Sequence, residues 1–325
     1  MTEVEWIRED IARVKVPLPF PLRWVNSYLI RGRAGYTLID PGLHTEESKA
    51  LWKRALQELA IHFTDIEQIV LTHHHPDHYG LAGWVQEQSG APVWLSPEGS
   101  LQVEAMWKGD GPTNQETVRL FLLHGLEPAL KPDMERHLAG FLPQVIPHPL
   151  QLQLLDRSQM LKMGDHSWAM VHTPGHAWGH TVFYNEERQE LFVGDHVLPR
   201  ITPNISYIPG TDSNPLQSYL SSLEGMGKFD GYTVYPGHRD PFRHLGDRVQ
   251  GIKLHHEERL EQMLKQIKEP LSVYALCQAI FGVQLSTHQL RFALAETLAH
   301  MIYLQQSGKA VLLEEDEVLR YQSAH

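Results

Sequence analysis

The sequence predicts an α+β protein in which two mixed β-sheets pack face to face between outer helices. Three observations carry that prediction. Short apolar runs bounded by turn residues alternate with longer segments of helical spacing. The order of elements in the second half echoes the first, as two sheets of similar build require. Two stretches, about 97–148 and 271–325, break the rhythm and read as an insertion and an appended tail. At 325 residues the chain exceeds one average domain. We therefore expect a main domain over 1–268 with a helical insertion at about 97–148, and a C-terminal domain over 269–325.

Strands are expected at 11–16, 27–31 and 35–39, the last two joined by the turn "RGRAG" and closed by "IDPG". "HTEESKALWKRALQEL" then places Leu51, Ala55, Leu56 and Leu59 on one helical face, with Thr45 as N-cap and acids in the first turn. A strand "IEQIVLT", a histidine-rich loop, a helix over 79–89 and a strand "PVWL" follow. In the insertion Met106, Trp107, Val118, Phe121 and Leu126 recur at helical spacing between Pro and Gly punctuators. Strands resume at "LQLL", "SWAMVHT", "TVFYN" and "ELFVGD", then come a helix over 215–225, a strand "YTVYPG" and a long helix over 244–267. The tail offers a short helix "SVYALCQAIFG", a longer one with Leu290, Leu294, Leu298 and Met301 on one face, and a hairpin "KAVLLEEDEVLRY". That is a winged-helix-like order.

Composition limits the function classes. A hydrophobic fraction of 42% with 21% charged residues is ordinary globular composition. A formal net charge of −11 argues against a broad phosphate-tracking surface. The tail repeats the argument locally, because Arg291, Lys309 and Arg320 are outnumbered by Glu296, Glu314, Glu315, Asp316 and Glu317. Nucleic acid is thus disfavoured, and the tail is expected to have a structural or dimerising role, which makes a homodimer an expectation. The acidic start lacks a basic leader and no stretch is apolar enough to span a bilayer, so no membrane partner and a cytoplasmic location are expected. The single cysteine, Cys277, excludes an intramolecular disulfide and a Cys-rich zinc site.

Histidine is the chemically notable excess, at 21 residues. "LTHHHPDHYG", residues 71–80, sets His73, His75, Asp77 and His78 directly behind a strand. An H-x-H step on extended backbone puts both imidazoles on one side, with His74 pointing the other way and not counted as a ligand. Asp77 and His78 lie past Pro76, at a helix start, where they can aim at a second point. Imidazole and carboxylate suit Zn²⁺, Mn²⁺ or Fe²⁺. Three further strand ends supply His176 in "TPGH", Asp195 in "VGDH" and His238 in "YPGH". Four loops converging at strand ends would build a single site.

These residues resemble the metallo-β-lactamase-fold hydrolases. "HHHPDH" is similar to that family's H-x-H-x-D-H signature, and "TPGH", "GD" and "PGH" follow in the family's order up to residue 238. With its winged-helix-like tail, the layout is closest to the β-lactamase-like protein 2 and hydroxyacylglutathione-hydrolase-like group. The resemblance implies an αβ/βα four-layer sandwich and two divalent metal ions, zinc expected, with manganese or iron compatible. It implies that His73, His75 and His176 hold one ion, that Asp77, His78 and His238 hold the other, and that Asp195 bridges them. It further implies a bridging hydroxide as nucleophile, with Asp77 as the catalytic proton carrier. Asp40, in "IDPG", matches the acid that stands behind the histidines; a turn-forming Asp-Pro is the simpler alternative. His180, Arg200, Asn204 and Tyr207 are candidates for contacts to substrate or ligands. His255, His256 and Arg259 are assigned to a solvated helix face.

Substrate is less determined than metal, since one fold hosts many reactions. The first reading is hydrolysis of a small acyl thioester, ester or lactone, with Met106, Trp107 and Phe121 forming a lid over the acyl chain. The second is cleavage of single-stranded RNA, which the acidic tail opposes. The third is a non-catalytic winged-helix binding module, which the full set of metal positions opposes.

Overall fold

A computed structural model describes residues 3–19, 21–109 and 111–324. Among these the first sheet runs in sequence order. Strands β1 (Val4–Trp6), β2 (Ile11–Pro17), β3 (Trp24–Arg31) and β4 (Tyr36–Ile39) are antiparallel, and β5 (Ile66–Val70), β6 (Val93–Leu95) and β7 (Leu152–Leu154) continue parallel to β4. The second sheet contains β8 (Leu161–Met163), β9 (His166–His172), β10 (Thr181–Asn185), β11 (Glu190–Gly194) and β12 (Thr233–Pro236), with β12 parallel to β11 and the others antiparallel.

Three apolar clusters define four layers. Between the sheets lie Tyr28 and Ile30 of β3, Val70 of β5, and Trp168, Phe192 and Tyr235 of the second sheet. Alternate residues of β3, Val25 and Leu29, turn outward instead, as the period-two pleat requires. They meet the first helical layer: α1 (Glu46–Glu58), the single turn α2 (Pro76–Tyr79), α3 (Ala82–Ser89) and α4 (Pro97–Trp107). Helix α1 starts as expected, with Thr45 Oγ1 accepting from the Ser48 amide at 3.1 Å, and buries Leu51, Trp52, Ala55 and Leu56.

The second sheet's outer face is covered by α5 (Pro112–Leu123), α6 (Lys131–Ala139), α7 (Pro215–Glu224) and α8 (Leu245–Gln266). The tail contributes a three-stranded sheet, of β13 (Leu271–Ser272), β14 (Ala310–Glu315) and β15 (Val318–Ser323), around α9 (Val273–Phe281) and α10 (Thr287–Gln306). It shares one apolar cluster with the main body, in which Leu294 and Met301 of α10 accompany Val193, Leu216 and Ile252. No helix among the described residues is long and apolar enough to cross a membrane.

Several expectations are corrected here. Strands β1 and β8 lie outside the expected set, because three residues carry no readable period. "LQLL" joins the first sheet, parallel to β6, so the helical insertion is the crossover that parallel pairing needs. The helix expected over 79–89 divides at Gly80–Leu81. Phe121, expected on a lid, is buried in the core under the second sheet. His256, expected in solvent, is fully buried and faces His300 of α10, Nδ1 to Nε2 3.1 Å. Cys277 is buried, as read, and burial pushes its thiol up to about 11.

Buried neutral imidazoles make stability depend on pH. His124 is 4% exposed, stacks on the Tyr321 ring at 5.9 Å, and is pushed by burial down to about 4. Its folded pKa lies below the unfolded value of about 6.5, so protonation favours unfolding. Its contribution is complete above that value and drains away as pH falls toward 4. At pH 5 the loss is about 2 kcal/mol. Urea denaturation at pH 7.5 and 5 should therefore show the wild type losing more stability than His124→Phe by that amount. Equal losses would show that His124 does not titrate in this way.

Candidate metal centre

The site is assembled by the carboxyl ends of β4, β5, β9, β11 and β12 and the loops that follow them. Side chains meet there because the backbone turns sharply at special positions. Asp40 adopts φ +50°, which a short polar side chain tolerates, and its carboxylate returns to the loop after β5. Oδ1 accepts from the Thr72 amide at 2.8 Å, and Oδ2 accepts from Thr72 Oγ1 at 2.7 Å and His78 Nδ1 at 2.8 Å. Gly237 must lack a side chain, since a Cβ there would collide with Asp195 Oδ1. Gly194, at φ +47°, would press one to 2.7 Å from both His180 Nε2 and Thr72 Oγ1.

Three groups of potential ligand atoms result, each mutually within 4.8 Å: His73, His75 and His176; His73, His78 and Asp195; Asp77, His78 and His238. The shared members tie them into one cluster. Asp195 lies centrally, with Oδ1 3.4 Å from His78 Nε2 and Oδ2 3.6 Å from His176 Nε2 and 3.3 Å from His238 Nε2. Asp77 Oδ2 is 3.2 Å from His238 Nε2.

The hydrogen bonds decide which nitrogen faces inward. Each Nδ1 is held from outside: His73 by Thr72 Oγ1 at 2.9 Å, His78 by Asp40, His176 by the Asn204 carbonyl at 2.9 Å, His238 by the Trp24 carbonyl at 2.9 Å. Nε2 of these four histidines and Oδ1 of Asp195 are buried without a hydrogen-bond partner. Orphaned buried acceptors of this kind are costly, and a lone pair on Nε2 opposite an anchored Nδ1–H is the arrangement of metal-ligating imidazole. The donor set therefore fits divalent cations of the zinc, manganese or iron kind. The carboxylates also act on the charge of the rings. Burial works against a charged His238, yet Asp195 and Asp77 outweigh it and carry its pKa up to about 10. Burial, with repulsion from His78 and His75, pulls His73 well below its usual value.

The other expected site residues separate. His180 is buried; its Nδ1 lies 2.8 Å from Thr173 Oγ1 and its Nε2 accepts the Asp195 amide at 3.2 Å, so it fixes the Asp195 backbone. Arg200 is exposed and lies away from the cavity wall. Tyr207 packs on the apolar cluster and donates its amide to the Ala295 carbonyl at 3.2 Å, so neither residue contacts the site. Asn204 does: beyond holding His176 it lines the cavity and donates Nδ2 to Glu296 Oε2 of α10 at 2.7 Å. His74, read as a bystander, is no member of the ligand groups but is buried and lines the cavity.

The cluster opens into a cavity of about 540 Å³. Met106 and Trp107 of α4 form one wall, and Trp107 is fixed by its Nε1–H donating to the His74 carbonyl at 3.0 Å. The opposite wall comes from the tail, through Phe281, Leu285, Arg291 and Phe292. Sequence reasoning missed those four, because nothing local in α9, α10 or the turn between them distinguishes a cavity face from a core face.

A sandwich of this layering with histidines and aspartates at its strand ends is that of a metal-dependent hydrolase. The chain belongs to the metallo-beta-lactamase superfamily, whose profile it matches over residues 22–238, and residues 260–324 match the metallo-beta-lactamase-like C-terminal domain. It is 28% identical over 305 residues to the probable metallo-hydrolase YqjP of Bacillus subtilis (strain 168), covering 91% of this chain and 92% of that one. A metallo-beta-lactamase family protein of Thermus thermophilus superposes with a TM-score of 0.85 at 32% identity, over 98% of this chain and all of that one. An atrochrysone carboxyl ACP thioesterase of Cryptosporiopsis sp. (strain 8999) is 24% identical over 271 residues, 83% of this chain and 66% of that one.

Asp40 gives this geometry a direct test. Asp40→Ala frees His78 Nδ1 and two Thr72 donors at once, and loss of such a supporting contact weakens metal affinity by roughly 10- to 100-fold. Chelator competition followed by elemental analysis should find that drop, and an unchanged affinity would reduce Asp40 to a turn residue.

Proposed function

We propose that this chain hydrolyses a small acyl thioester, ester or lactone with the help of two divalent ions, zinc being the expected metal. The observation that carries the reading is the direct junction of an apolar-walled cavity with a cluster of orphaned imidazole and carboxylate atoms. His73, His75 and His176 would hold one ion and Asp77, His78 and His238 the other, with Asp195 between them. Two such ions, when bound, supply an acidified water and an electrophile for the scissile carbonyl.

The chain's own residues do the rest. Met106 and Trp107 enclose the acyl chain and exclude water from it. Asp77 sits where the ligand cluster meets the cavity. From there its carboxylate takes the proton of the attacking water and returns it to the departing thiolate or alkoxide. The similarity to a fungal protein named as an acyl-carrier thioesterase supports the acyl class. RNA is opposed by the cavity wall, where Arg291 alone among the described lining residues carries a permanent positive charge.

The test begins with the metal content of the purified protein. Chelation should abolish turnover and zinc restore it. His75→Ala should lose metal and activity together, and Asp77→Asn should lower kcat by roughly 10²- to 10⁴-fold. A panel of acyl thioesters, esters, lactones and labelled single-stranded RNA then decides the class. The acyl reading fails if RNA alone is cut.

A further inference from the structure

One charged group in the cavity is not used by the hydrolytic cluster. Arg291, in the second turn of α10, lines the same cavity as Asp77, His75 and His238. Its Nε is buried with no hydrogen-bond partner. The guanidinium carbon lies 3.7 Å from the Phe292 ring centroid and 5.6 Å from that of Phe141, so two aromatic rings flank it. Among the described residues no carboxylate answers it. Glu296, one turn further along α10, is engaged by Arg259 at 3.6 Å and by Asn204. Asp212, across the cavity, accepts the Asn214 amide at 2.9 Å. Asp77 and Asp195 are taken by His78, His176 and His238. Burial lowers the arginine's pKa to about 10, which leaves it charged at neutral pH.

Arg291 is part-buried, and a partly desolvated guanidinium without a counter-ion is costly unless something brings one. Ring stacking compensates only part of that cost, and it leaves the planar edge of the fork free to form hydrogen bonds. The occupant of the cavity is the group in a position to supply an anion.

We propose that Arg291 is a specificity residue that receives a terminal carboxylate of the acyl substrate, at a point in the cavity apart from the bond being hydrolysed. A carboxylate is favoured over a phosphate by charge. Arg291 is the only Lys or Arg among the described residues of the cavity wall, so it can neutralise one negative charge. A phosphate monoester carries about 1.5 to 2 at neutral pH and would leave the excess buried among apolar residues. The fork geometry also suits two parallel bonds to a carboxylate.

This inference rests on the cavity being the acyl chamber, and a binding experiment separates it from the hydrolytic reading. The probes are suberic acid monoamide and octanamide, which have equal chain length and differ in a terminal carboxylate against a methyl. Calorimetry on the metal-loaded protein should show the acid bound tighter by roughly 10- to 100-fold, the range for hydrogen bonds to a charged partner. Arg291→Met, with similar bulk and no charge, should erase that difference while leaving octanamide unchanged, and Arg291→Lys should keep part of it. Equal binding of the two probes by the wild type overturns the proposal, as does a preference for the acid that survives in Arg291→Met. Octyl phosphate as a third probe, if preferred to the monoamide, overturns the choice of carboxylate. In a second arm, with zinc loaded, kcat/KM for a carboxylate-ended thioester should exceed that for its methyl-ended analogue by a similar factor. If neither thioester is cleaved, the hydrolytic reading fails and the binding arm still decides the role of Arg291.

Discussion

The structure turns on a set of buried nitrogens that the protein itself leaves without partners. Four histidines have their Nδ1 atoms anchored from outside and their Nε2 atoms turned toward one another and toward Asp195. Elsewhere in a folded protein such atoms would be paired, because leaving a buried acceptor unsatisfied costs about 1 to 3 kcal/mol each. Here the anchoring prevents relief by rotation. A cation between the rings would satisfy all of them at once, so metal binding and the fold would stabilise each other.

That constraint reaches well beyond the histidine loop. The carbonyl that holds His238 belongs to Trp24 at the start of β3, and Asn26 and Tyr28 of the same strand donate to the Pro236 carbonyl at 2.9 and 2.7 Å. The two sheets are thereby locked together at the edge where the ligands emerge. On the other side, the carbonyl that holds His176 belongs to Asn204, whose side chain is clamped by Glu296 of α10. The tail is therefore mechanically part of the centre. It sets one ligand's orientation through a single loop and supplies a wall of the cavity.

The layering and the ligand cluster were legible in the sequence, whereas the cavity was not, and the physics of each explains the difference. His73, His75, Asp77 and His78 fall within six positions, directly behind β5 and across the start of α2, so one tight segment carries them all. His176, Asp195 and His238 each follow a strand and a Gly-containing turn, which marks where the chain must bend. By contrast Asn204 and Glu296 are separated by 92 positions and meet only because α10 of the tail packs against the helices that cover the second sheet. His256 belongs to a helix whose outer face looks polar, and its burial depends on His300 arriving from the tail. Arg200 and Tyr207 qualify as candidates only by being polar and near a motif. Along an irregular loop no period says which residues face inward, and the cavity receives Ile201, Thr202 and Asn204 from that segment instead.

The charge inventory links metal to substrate. Asp195 and Asp77 outweigh burial and raise the pKa of His238 to about 10, and Asp195 and Asp40 raise that of His78 well above its usual value. The carboxylates thus make the cluster attractive to positive charge. A ligand imidazole must be neutral, so a divalent cation held there would take the place of any proton on its ligands. Positive charge in a low-dielectric pocket would be felt strongly by whatever oxygen develops negative charge beside it. Arg291 adds a second positive charge on the wall of the same cavity. A neutral occupant would satisfy the first and leave the second unpaired, whereas an occupant with an anionic end answers both.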